Sequence, residues 1–143
     1  AREINPRVGF QHAHGRQLRR DGVRQPVTMP APMQEHMLAN MRDHLSAIGE
    51  IQAALAKAKY NQAADIAEQR IGMSSLQSHG ASHMAPYMPK AMQDIGTAMH
   101  RSASRFARSA QEAPVVDGLP RALDALAELT QQCVACHAGY RLR

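Results

Sequence analysis

Leu119-Pro-Arg-Ala-Leu123-Asp-Ala-Leu126-Ala-Glu-Leu129-Thr-Gln-Gln-Cys133-Val-Ala-Cys136-His137-Ala-Gly-Tyr140 repeats apolar or thiol side chains at steps of three and four. That is the period of one face of an α-helix. The stretch predicts a helix from about residue 119, with Asp117 as N-cap and Pro120 in the first turn, where a missing N–H costs little. Three stripes of the same period precede it. Met33, Met37, Met41, His44 or Leu45, Ile48, Ile51 or Gln52, and Leu55 predict a helix over 31–57. Ala63, Ile66, Ala67 and Ile71 predict a weaker one from 60 to about 78, its end blurred by Gly72. Met88, Met92, Ile95, Met99, Ala103, Phe106 and Ala110 mark a third, with Pro89 in its first turn. Residues 79–87, rich in His, Ser, Gly and Pro, read as a loop. Aromatic residues are only 3% of the chain and Trp is absent, so the core is expected to consist of helix formers. Each amphipathic helix needs a facing stripe to exclude water, and 143 residues suffice for one domain. The expected fold is therefore all-α, an antiparallel four-helix bundle over residues 31–143.

The last stripe carries Cys133-Val134-Ala135-Cys136-His137, which holds the only two cysteines of the chain. C-x-x-C-H is the attachment signal of c-type haem: each thiol adds to one vinyl group, and the adjacent imidazole can ligate iron from one face. Competing uses of two cysteines fit less well. A structural zinc site normally takes four ligands, often from two such knuckles. A redox dithiol of the thioredoxin kind follows a strand in a βαβ unit, and no β-branched alternation is near. A disulfide would close a very short loop inside a helix. One covalent haem c per chain is the expectation, its apolar faces supplying the bulk that the scarce aromatics do not. Because such haem is attached outside the cytoplasm, the expected location is the bacterial periplasm, with an export signal removed. No run approaches the ~18 apolar residues of a membrane span.

Residues 1–30 differ from the rest. Arg2, Arg7, Arg16, Arg19, Arg20 and Arg24 stand against only Glu3 and Asp21, with Gly9, Gly15, Gly22, Pro6, Pro26 and Pro30 between them. No helical period survives, so this segment reads as an irregular basic arm. With 17 Lys and Arg against 12 Asp and Glu, the chain carries a formal net charge of +5. The arm can act as an electrostatic handle for an acidic partner or a membrane surface. Redox proteins are the expected partners, a homodimer is open, and nucleic acid is not expected.

A helix ending in C-x-x-C-H near the C-terminus, followed by Tyr140 and Arg141, resembles the class II cytochromes c, meaning cytochrome c′ and the low-spin cytochrome c556. Ala56-Lys57-Ala58-Lys59-Tyr60-Asn61-Gln62-Ala63-Ala64 is similar to that family's Lys-Gly-x-x-Pro-Tyr-Asp-x-Ala-Ala turn, one residue shorter. The likeness covers roughly residues 31–143 and omits the arm. It implies His137 as proximal iron ligand and, counting back from the Tyr60 turn, Met41 at the distal position. Met37 stands where the family often has an arginine facing a propionate. Arg141, one helical turn after His137, matches a basic family position beside the proximal imidazole. A Met/His iron raises the reduction potential and suits outer-sphere electron transfer. The expected function is thus a single-electron carrier rather than an enzyme, because six-coordinate iron offers substrate no open position. Met37 and His44 are alternative sixth ligands. With none of them the chain would resemble a five-coordinate cytochrome c′ that binds nitric oxide or carbon monoxide.

A third reading rests on His79, His83, Met84, Met88, Met92, Met99 and His100. Imidazole and thioether together select copper, especially copper(I), so a periplasmic copper-binding or metal-stress protein is the reading from a different class.

Overall fold

The computed structural model describes residues 23–115 and 118–143. Five of the six arm arginines and Asp117, the expected N-cap, lie outside the described residues. The chain runs β1 (Gln25–Val27), α1 (Ala31–Ala56), α2 (Tyr60–Arg70), α3 (Ala81–Met84), α4 (Lys90–Glu112), α5 (Gly118–Gly139) and β2 (Tyr140–Leu142), with 3-10 turns at Met73–Ser75 and Ala85–Tyr87. It is all-α apart from one short pair of strands.

Helix α1 is 26 residues of mostly unbranched helix formers with a proline in its first turn. A Schellman turn stops it: Lys59 N–H donates to Ala54 O at 2.9 Å and Ala58 N–H to Leu55 O at 3.0 Å. This closure needs a left-handed residue, and Ala58 takes φ 54° where glycine is the usual occupant. After three residues α2 runs back along α1, and Arg70 at its end reaches Asp43 at 2.6 Å and Glu50 at 2.7 Å. Helices α4 and α5 form a second hairpin, marked by Arg121–Glu112 near the turn and Arg105–Glu128 farther from it, both at 3.7 Å. These exposed pairs contribute little stability, but they fix the antiparallel register. Helix α2 packs on α4 and joins the two hairpins.

Two cores result. The first is rich in alanine: Ala47, Ile51, Ala54 and Leu55 of α1, Ala63, Ala64 and Ala67 of α2, Ala103, Phe106, Ala107 and Ala110 of α4, and Ala122, Leu126 and Leu129 of α5, with Ile71. Small side chains let helix axes approach closely, and Phe106 fills the remaining space at 0% exposure. The second core consists of Val27, Met29, Met37, Met84, Met92 and Tyr140, bordered by Met33, Met41, Met88, Ile95, Cys136 and Leu142. Helix α1 contributes to both cores alongside α5, yet these two helices pack far less closely on each other than the hairpin pairs do. Met33, Met37 and Met41 of α1 share the second core with Cys136 of α5.

Several expectations change. The second helix stops at Arg70 rather than near 78, because the chain folds back at Gly72 so tightly that a Cβ there would lie 2.8 Å from the Glu68 Cα. Residues 79–87, expected as a loop, contain α3 and a 3-10 turn. Pro89 precedes the first turn of α4 instead of lying within it. Leu119 and Leu123 are exposed while Ala122 is buried, since the smaller residue fits the close α4–α5 contact. Residues 25–27 are not irregular: β1 pairs in parallel with β2, Gln25 opposite Tyr140, Pro26 opposite Arg141 and Val27 opposite Leu142. Apolar burial drives this pairing, with Val27 at 2%, Met29 at 6% and Tyr140 at 6% exposure. Among the described residues no helix is long and apolar enough to cross a membrane.

Candidate functional site

Helical geometry dictates how the pentapeptide is presented. At about 100° per residue, Cys133, Cys136 and His137 project within an arc of roughly 100° on one side of the last turns of α5. That arc lies at the edge of the methionine core: both thiols are half-buried and His137 is exposed. Burial pushes the Cys133 thiol up, and burial followed by the neighbouring Cys133 pushes Cys136 up. Both therefore stay protonated at neutral pH, the opposite of a nucleophilic dithiol, whose thiolate is stabilised by nearby positive charge. Cys133 Sγ lies 4.0 Å from the Leu129 carbonyl, and the two cysteines are separate thiols.

Of the expected site residues, the structure brings Met37, Met41 and Cys136 to one cluster. Met37 is buried and Met41 partly so. His137 and Arg141 stay exposed. Arg141 does not lie a turn farther along the helix: α5 ends at Gly139, and Arg141 is the middle residue of β2.

The cluster contains more methionine than any single stripe suggested. Seven of the nine methionines meet in it, in two runs at steps of four, Met29-Met33-Met37-Met41 and Met84-Met88-Met92. Met29 falls within residues 1–30, the stretch that reads as the basic arm, yet its place one four-residue step before Met33 is the signal that joins it to the run. An open cleft lined by Pro32, Met33, His36, Gln77, Gly80, His83 and Met84 leads from solvent to the side of this core. Met99 lies elsewhere, against the alanine-rich core.

The mixed His and Met set divides in the same way. His83 is exposed beside the cleft, whereas His79 and His100 meet His44 of α1. Ring centroids are 4.7 Å apart for His44–His79, 5.5 Å for His79–His100 and 6.3 Å for His44–His100. His100 Nδ1 donates to the Ile71 carbonyl at 2.5 Å. Ser75 Oγ gives its proton to Gly72 O at 2.7 Å, so it accepts from His79 Nδ1 at 3.2 Å. His44 Nε2 is buried with no hydrogen-bond partner. Burial, then His79 and His100, lowers the His44 pKa to about 4. Burial, then His100, also lowers His79. The trio was illegible in sequence because its members stand 35 and 21 residues apart on separate segments.

Compared with protein-family models, curated proteins and solved structures, the chain matches none.

Proposed function

We propose that this chain is a monohaem c-type cytochrome of the class II kind. In this reading its four longer helices form an antiparallel bundle around one covalent haem, and the protein carries single electrons in the periplasm. The observation that carries the reading is that Cys136 of the attachment signal packs into the same cluster as Met37 and Met41, on the helix where a distal ligand was expected. The donor set fits. Cys133 and Cys136 would hold the group through two thioether bonds, one from each thiol. His137, on the same arc and exposed, would supply a nitrogen donor to the iron, and Met41 a sulfur donor. Met37 packs beside Met41. Arg141 lends positive charge next to the attachment turn.

When bound, the haem supplies a one-electron iron couple whose potential a thioether ligand raises. The chain's own part is to hold that couple in an apolar, adaptable core, with His137 on its exposed side. Unbranched thioether side chains can slide to accept a flat macrocycle, which a close-packed alanine interface cannot. With net charge +5, acidic redox proteins are the partners that long-range attraction would favour.

Expression with a c-type haem maturation system tests this directly. Acid acetone should leave the haem on the protein, and Cys133→Ala with Cys136→Ala should abolish covalent attachment; haem extracted intact from the native protein overturns the reading. Met41→Ala should convert a low-spin ferric spectrum to high-spin, admit carbon monoxide and lower the potential by on the order of 0.1 V. A wild type that is already high-spin would make it a gas-binding cytochrome c′ instead. A second reading has its own observation: seven gathered thioethers beside a thiol are also a soft, copper(I)-binding surface. Metal analysis of the exported protein separates the two, iron with haem absorption for the first and copper without it for the second.

A further inference from the structure

The three clustered histidines form a layer between the two cores. On α1 they separate Met37 and Met41 from Ala47 and Ile51; on α4 they separate Met92 and Ile95 from Ala103 and Phe106. Ordinary core packing does not account for such a layer, because a buried ring nitrogen without a partner is costly and His44 Nε2 is one. Two rings are fixed from behind. The Nδ1–H groups of His79 and His100 are committed to Ser75 Oγ and the Ile71 carbonyl, which leaves the lone pair of each on Nε2. Metal-binding histidines are oriented in this way, one ring nitrogen donating to a carbonyl or hydroxyl while the other faces the ion.

We infer that His44, His79 and His100 form a binding site for a borderline divalent metal ion of the zinc and copper(II) class, separate from the proposed haem.

Spacing supports it. With metal–nitrogen bonds of about 2.0–2.1 Å in a tetrahedral set, imidazole centroids lie about 5 Å apart. The observed separations of 4.7, 5.5 and 6.3 Å bracket that value. As the rings stand, no three His, Cys, Asp or Glu side chains among the described residues are set to hold an ion together. Closing the set falls to His44, whose Nε2 has no hydrogen-bond partner and whose ring can turn about χ2, a broad torsion for histidine, while His79 and His100 keep their Nδ1 contacts. The nearest carboxylate, Asp43, is taken up by Arg70 at 2.6 Å, so the ligands are neutral imidazoles, a set that suits zinc and copper and not magnesium or calcium. His79, only partly buried, gives the ion access from solvent.

The test is calorimetric titration of the full chain with Zn²⁺, any free thiols capped with iodoacetamide, and with Mg²⁺ as control. One zinc equivalent should bind, and His44→Gln, His79→Ala or His100→Gln should weaken that binding more than ten-fold, whereas His83→Ala should leave it unchanged. Equal zinc binding by the wild type and a His44→Gln, His79→Ala double variant overturns the inference, as does zinc binding no tighter than magnesium. Should a variant lose its circular dichroism, the wild type alone decides. Copper(II) bound at one equivalent should show electron paramagnetic hyperfine coupling to three ring nitrogens, and coupling to fewer overturns the site. None of these results depends on whether haem is attached.

Discussion

The alanine-rich core and the methionine core are built by the same helices and differ in almost every mechanical respect. In the first, side chains with few or no rotatable bonds pack α1 on α2, α2 on α4 and α4 on α5, with Phe106 fully buried among them. In the second, long unbranched side chains from α1, α3 and α4 gather with Cys136 of α5 and with Val27 and Tyr140 of the paired strands. A core that only had to be stable would use the first solution throughout. The second gives up close packing for adaptability, and it is where the Cys136 thiol lies. Structure is thus carried at one end of the molecule and proposed chemistry at the other.

The contrast can be broken most directly by truncation. Phe106→Ala should cost about 3–5 kcal/mol in urea unfolding, because its rigid surroundings cannot collapse into the cavity. Met37→Ala, although Met37 is also buried, should fall near 2 kcal/mol, the low end for such a change, as neighbouring thioethers slide inward. Equal losses would show that the methionine core is as stiff as its neighbour. The seam between the cores is tested by acid. In the metal-free protein the folded-state pKa of His44, about 4, lies below its ordinary value of 6.5. Its contribution to stability is therefore fully present above about pH 6.5 and is lost as the pH falls towards 4, up to on the order of 3 kcal/mol. His44→Gln should flatten urea midpoints across that window. A volume-conserving swap sharpens the comparison further: Met37→Leu should cost under about 1.5 kcal/mol. The smallest effect should come from Ala58→Gly, which relieves a left-handed alanine at the end of α1 and should add about 0.5–1 kcal/mol, read as a raised Tm.

The two regions were also unequally legible. Helix α1 follows from its stripe nearly to the residue and α4 contains most of the stripe read for it, because a long run of one period that starts at a proline admits few other readings. Tertiary contact decided what the stripes could not. Ala122 rather than Leu123 faces inward because α4 presents alanines, and α2 ends early because the chain doubles back on Glu68 at Gly72. Strands of three residues carry no readable alternation, and their partners stand 115 positions apart, so β1 and β2 had no local signature. Within the site, the pentapeptide and Met41 come from spacing and resemblance. Met29 is legible only as one more four-residue step before Met33, and the histidine layer is a product of assembly that no single segment encodes.

The strand pair has a consequence for the order in which the molecule is completed. It joins a segment near residue 25 to the last residues described, so it encloses every helix in one closure. Bringing together chain ends of that separation costs on the order of 4–5 kcal/mol of entropy unless other structure has already drawn them close. The two helical hairpins, with only short connections to close, meet no such barrier and should form first. The methionine core then has no lid until Tyr140–Leu142 has been synthesised and docked on Gln25–Val27. Late closure would leave Cys133 and Cys136 reachable during the interval in which any covalent modification of them must take place.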